Sequence, residues 1–252
     1  MGKAVRLICL LLLLVGEVCG QSSGIVGGGV FGGKATGGAS PVLIQNLNCN
    51  CKNTSTHCVI NTSGSAQCNN TPTLTTTGTG HLVIALCGAD SNDNCVSTGP
   101  VSTPSATWSQ LASNTHQDQA WYTCSSAAFT AIDFGPFSQQ DAVIEFSGVN
   151  TSSCLDKNPA LLGQNTTSWA TNASGTTAQG HELVVGWVTQ FTATPGYACG
   201  GAYTQAVLGN GTSSALIACY AVETATGSYT VSGTATTAAS SQEAGVYTFE
   251  YP

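Results

Sequence analysis

The sequence predicts an all-β fold, an antiparallel β-sandwich or jelly roll stapled by disulfides. Three observations predict it. From Gly80 onward, short apolar runs rich in β-branched and aromatic residues alternate with clusters of Gly, Ser, Thr, Asn and Pro, the pattern of strands and turns. No stretch sustains an amphipathic 3.6-residue period for three turns, and only 7% of the residues are charged, too few to clothe a helical bundle. Ten cysteines follow residue 20, and an even number in an exported chain reads as a disulfide framework.

Taken in order, residues 1–20 carry Lys3 and Arg6, the apolar run Leu7 to Val15, and Val18-Cys19-Gly20, which together predict a signal peptide cleaved after Gly20. The run is roughly half the ~20 residues of a membrane-spanning helix, and no second one follows it. The expectation is a secreted protein of the extracellular surface without a membrane span. Glu17 and Val18 stand where a lipoprotein signal prefers small residues.

Residues 21–41 form a Gly-rich leader holding Ile25, Val26, Val30 and Phe31. Two readings stand: a flexible tail, or an extended segment that pairs with a sheet edge of a neighbouring copy. Residues 42–79 read as a loop region containing Cys49, Cys51, Cys58 and Cys68, held by its own disulfides and ending in a Thr-rich linker from Thr71 to Thr79. Disulfides are preferred to zinc here, because no C-x-x-C pair occurs and His57 is the only imidazole nearby.

Residues 80–252 carry the predicted sandwich. Strands are expected near His81 to Cys87, Thr107 to Leu111, Ala120 to Cys124, Ala128 to Asp133, Ala142 to Ser147, Glu182 to Thr189, Ala215 to Val222, Ser228 to Thr236 and Gly245 to Tyr251. Gly80 to Ala85 and Gly180 to Gly186 are similar, near-continuous apolar runs that suit central strands covered on both faces. So short a match does not establish a repeat. Locality pairs Cys87 with Cys95 and Cys199 with Cys219, keeps the four N-terminal cysteines among themselves, and leaves Cys124 for Cys154.

After cleavage, Lys34, Lys52 and Lys157 face eleven carboxylates, a net charge of about −8, and no arginine remains. Nucleic acid, anionic lipid and phosphate are poor partners for such a surface.

The ordered series Thr107 to Leu111 (T-W-S-Q-L), Ala120 to Tyr122 (A-W-Y), Ile144 to Val149 (I-E-F-S-G-V), Leu155-Asp156, Glu182 to Gly186 (E-L-V-V-G) and Ala202 to Thr204 (A-Y-T) resembles a secreted bacterial β-sandwich module of lectin-like shape, over about residues 80–252. That resemblance implies fold and export. It supplies no catalytic residues.

Catalytic motifs are missing from the sequence. There is no G-x-S-x-G, and His181-Glu182 continues as Leu-Val-Val instead of completing H-E-x-x-H. Glu145 and Glu182 are the weak candidates for a glycosidase carboxylate pair, since alternation in A-V-I-E-F sets Glu145 apart from Ile144 and Phe146. Otherwise no cofactor is expected. Asp90, Asn92 and Asp93, between Cys87 and Cys95, suit either structural calcium or a plain Asx-rich turn. Trp169, Tyr197 and Tyr203 lie in polar or Gly-rich segments and are the candidates for stacking on sugar. Sequons at Asn53, Asn61, Asn69, Asn150, Asn165, Asn172 and Asn210 suggest a glycoprotein. These features favour a structural or adhesive extracellular protein, a subunit of a surface assembly or filament whose partner is itself. The alternative partner is extracellular polysaccharide, bound by a carbohydrate-binding module.

Overall fold

The computed structural model describes residues 39–51, 56–88, 95–114, 118–124, 126–136, 138–190, 196–211, 214–238 and 241–252. The chain divides into two units, Met1–Ala35 and Thr36–Pro252, and the first lies outside the described residues, as do the expected signal peptide and the leader's apolar residues. The described residues are all-β, with no helix among them.

The first eight strands are β1 (Val42–Asn50), β2 (Val59–Asn61), β3 (Leu82–Gly88), β4 (Val101–Thr103), β5 (Ser109–Asn114), β6 (Asp118–Thr123), β7 (Ala131–Asp133) and β8 (Gln140–Ser147). The next eight are β9 (Leu155–Lys157), β10 (Leu162–Gln164), β11 (Glu182–Gln190), β12 (Ala198–Cys199), β13 (Thr204–Asn210), β14 (Ala215–Glu223), β15 (Gly233–Thr234) and β16 (Gln242–Glu250). One antiparallel sheet runs β1-β8-β3-β6-β5 and the other β10-β16-β11-β14-β13, with β9 also beside β16.

Alternation builds the core between these sheets. Leu82, Ile84 and Leu86 of β3 and Ala142, Ile144 and Phe146 of β8 point inward, against Leu183, Val185 and Trp187 of β11 and Tyr247 and Phe249 of β16. Each such side chain contributes about 1.5–3 kcal/mol by leaving water. The outer faces are covered as well. The small sheet β2-β7-β4 lays Ile60, Phe129 and Ile132 over Val83, Ala85 and Val143, and the β12–β15 layer lays Trp169, Tyr197 and Val231 over Val184 and Val188. β3 and β11 are therefore buried along their whole length, which explains the apolar runs Leu82 to Gly88 and Leu183 to Val188.

The two halves repeat one another. In sequence order each has an edge strand, a central strand, a hairpin and a returning strand that pairs between the first two: β1, β3, β5–β6, β8, then β10, β11, β13–β14, β16. The hairpins carry bulges at matching places, between Gln110 and Ala112 and between Gln205 and Val207. Leu82 pairs with Phe146 as Leu183 pairs with Phe249. Across the core, Tyr122 packs edge-on against Phe249 and Tyr220 against Phe146, at centroid distances of 5.7 and 5.2 Å, contacts that exchange under a pseudo-twofold axis. The equivalence sets Leu82 on Leu183, so the extra Glu182 shifts the Gly-His starts out of step.

Two expectations need correction. Residues 42–79 do not form a separate loop region: Val42–Asn50 is the edge strand β1, paired along β8, and Leu74 is buried in the second core. Asn at alternate positions concealed the strand, because Asn disfavours strands while marking its polar face. β13 lies outside the expected strands for a different reason, because Gly209 and its bulge interrupt the alternation.

All five disulfides join the expected partners: Cys87–Cys95, Cys199–Cys219 and Cys124–Cys154, with Cys49–Cys68 and Cys51–Cys58 in the N-terminal cluster. No helix of the described residues is long and apolar enough to cross a membrane. Bridges in this number are consistent with an extracellular protein.

Candidate functional site

Glu145 and Glu182 do not form a catalytic pair. Each lies on a different sheet and is fully buried. Glu145 does point away from Ile144, as alternation implies, but that face is covered. Its Oε1 accepts from the Gly78 amide and lies 2.6 Å from His81 Nδ1, while Oε2 accepts from Gln45. Both oxygens are thus spent on pinning the 75–81 segment to the sheet. Among the described residues no N–H or hydroxyl donor meets either oxygen of Glu182, and its carboxyl shares a side-chain hydrogen bond with Asp156. Burial, then the Asp156 charge, push its pKa from 4.5 to about 8. For Asp156 burial acts upward, but the hydrogen bonds from Lys157 (2.7 Å) and the Ala178 amide (2.7 Å) prevail and hold its carboxyl below the usual range.

Two further carboxyls are buried where sequence reading saw nothing. Asp118 accepts from Thr189 Oγ1 at 2.7 Å and Asp141 from Ser138 Oγ at 2.8 Å, and each keeps one oxygen without a partner. Burial holds both well above the ordinary carboxyl pKa. Asp141 lies beside the sulfurs of Cys49, Cys51 and Cys58, with all four potential ligand atoms within 4.8 Å of one another. Those cysteines are tied in disulfides, which removes the thiolates that a zinc site needs. Asp90, Asn92 and Asp93 lie outside the described residues.

The sugar-stacking candidates are corrected by their burial. Trp169 is 1% exposed and Tyr197 4% exposed, packed edge-on against each other in the outer core of the second sheet. Tyr197 Oη donates to Gln190 Oε1 at 3.2 Å. Only Tyr203 keeps a partly open face, its hydroxyl donating to the Thr230 carbonyl. The polar loop carrying Trp169 is folded down onto the sheet, which its composition does not disclose. Among the sequons, Asn69, Asn165 and Asn210 are exposed and Asn61 and Asn150 half-buried, whereas Asn172 spends its amide on the Ala160 carbonyl at 2.9 Å. Asn53 lies outside the described residues.

Among the described residues a groove of about 430 Å³ lies on one side of the sandwich. Its walls are Thr107 and Ser109 at the start of β5, Tyr122 to Cys124 at the end of β6, and the segment Thr151–Leu155 that runs into β9. The Cys124–Cys154 bridge joins the two walls. β5 ends one sheet, and β9 and β10 end the other, so strand edges without a partner strand among the described residues flank the groove. On the opposite side β1 packs against β13 and closes the sandwich. Sequence reading missed the groove because it depends on which strand lies over which. Comparisons of this chain with protein-family models, with curated proteins and with solved structures found no match. Chemically the groove offers a strand's row of backbone donors and acceptors, Ser and Thr hydroxyls, and the ring of Tyr122, an arrangement suited to an extended peptide.

Proposed function

We propose that the protein is a secreted extracellular structural subunit that assembles with further copies of itself through its Gly-rich leader. The observation that carries this reading is a pairing of needs: the sandwich ends on strand edges without partners among the described residues, and the leader holds Ile25, Val26, Val30 and Phe31, which a pure spacer would not contain. Covering one such side chain fully is worth about 1.5–3 kcal/mol, which offsets part of the cost of ordering a glycine-rich segment. A head-to-tail contact of this kind is heterologous and extends into a chain of subunits. The five disulfides suit an oxidising extracellular setting. An adhesive role for the assembled surface follows from its Ser, Thr and Asn content. The carbohydrate reading is less favoured, since Trp169 and Tyr197 are buried.

The test is light scattering on the mature chain with and without Gln21 to Gly38. Particles larger than one subunit that disappear on deletion are expected. A mature protein that stays monomeric at high concentration would overturn the reading.

A further inference from the structure

We infer that the groove between β5 and Thr151–Leu155 receives the leader of a second copy, with residues 25–31 adding a strand along the free edge of β5. This rests on the assembly reading above and names its acceptor site.

The internal pseudo-symmetry locates the site. On one side of the sandwich the nine-residue strand β1 borders its sheet and packs on β13. The pseudo-equivalent place beside β5 belongs to β10, only three residues long and preceded by the three-residue β9. One long strand closes the first side, and two short strands fail to close the second. The groove occupies that deficit, so a further extended segment would complete the pattern.

The leader fits chemically. In an extended conformation Val26 and Val30 share one face and Ile25 and Phe31 the other, with Gly27, Gly28 and Gly29 between them permitting close backbone approach. Tyr122 and Leu155 give the groove apolar surface to meet one such face. Charge agrees: the leader carries Lys34 and no carboxylate, whereas residues 42–252 carry two lysines and eleven carboxylates.

Reach favours a second copy over the same one. The leader joins the sandwich beside Gly148, where the carbonyls of Ala39 and Ser40 would lie 2.9 and 3.0 Å from a Cβ and where φ is +79°. That root is on the β1 edge, four strand spacings or about 19 Å from β5. Residues 32–38 span only about 23 Å when taut, and four of those seven are glycines, which lose most entropy on being straightened. A groove on a neighbour imposes no such tension.

The experiment uses the full mature chain with Phe31→p-benzoylphenylalanine, mixing light and isotopically heavy copies before irradiation and mapping crosslinks by mass spectrometry. Heavy-to-light crosslinks from position 31 to residues 107–109 or 151–155 are expected. Thr107→Trp and Ser153→Trp, at exposed positions on the groove walls, should fill it and reduce the particle mass to one subunit, with the urea unfolding midpoint unchanged as evidence of folding. Heavy-to-light crosslinks to other segments, with particle mass indifferent to both tryptophans, would overturn the acceptor site and leave assembly standing. Crosslinks confined to single copies, or a monomeric protein, would overturn both.

Discussion

Glu182 should make the protein less stable as pH rises from mildly acidic to neutral, and removing its charge should abolish that contribution. The carboxyl is enclosed at the start of β11, and its pKa is raised by burial, then by the Asp156 charge and the hydrogen bond it makes to Asp156 when protonated, to about 8 from 4.5. The folded state therefore holds a proton that the unfolded chain releases above its own pKa. Stability from this group is complete below about pH 4.5, declines between about 4.5 and 8, and is level above. The whole shift corresponds to about 5 kcal/mol. Water near the strand end screens the site, and about 2 kcal/mol is the working figure. Glu182→Gln keeps the shape and cannot ionise, so it should match the parent near pH 4.5 and exceed it by about 2 kcal/mol at pH 8.5. Asp118 and Asp141 impose the same sign of pH dependence on both proteins, so the difference between parent and variant isolates Glu182. Asp156, with its lowered pKa, acts oppositely and loses its contribution only as pH falls below the ordinary Asp carboxyl range. The assay is urea unfolding with disulfides intact at pH 4.5, 6, 7 and 8.5. A parent-minus-variant difference that is flat across this range, or that favours the parent at pH 8.5, refutes the reasoning.

Further outcomes follow from the same packing. Phe146→Ala and Phe249→Ala occupy equivalent places in the two halves and should cost similar amounts, about 3–5 kcal/mol each by urea midpoint. Replacing Cys124 and Cys154 together by Ser opens a loop of 30 residues and should lower unfolding free energy by about 3.5 kcal/mol in urea. Gly186→Ala would set a Cβ 2.3 Å from that of Val231, so the covering layer must shift, at about 1–3 kcal/mol in thermal or urea unfolding. Asn172→Gln should leave the glycan mass of protein from a glycosylating host unchanged, because the native amide is already bonded to Ala160.

The parts legible in the sequence were those fixed by chain-local chemistry. Leu82 to Gly88 and Leu183 to Val188 are apolar on both faces, and the structure covers both faces. Locality picked out the cysteine partners because the bridges join residues only 7 to 30 positions apart in the chain. Errors arose wherever a residue's fate depended on what lies above it. Alternation placed Glu145 on the correct face of β8, yet it cannot report that Gln45, Gly78 and His81 cover that face. Trp169 stands among Asn, Thr and Ser, but Thr171 and Ser174 in the same segment meet the backbone of residues 229–231, which lets a polar loop lie flat on a sheet with its indole beneath.

The duplicated arrangement explains why neither half of the sandwich would be stable alone. Each five-strand unit has one face covered by its own small strands and another, carrying Phe146 or Phe249, that only the opposite half covers. Stacking by a pseudo-twofold buries both inner faces with one set of contacts, Tyr122 on Phe249 and Tyr220 on Phe146, as in an isologous dimer joined into one chain. Once the halves are joined, the symmetry no longer has to hold at the edges. The first half keeps a long β1 against β13, and the second, with Asn158 and Pro159 between its short edge strands, does not. Proline withdraws a ladder donor and breaks the pairing there. The one side of the fold that departs from its own repeat is thus the side that holds the groove, and sequence differences between the halves, at Pro159 above all, set its position.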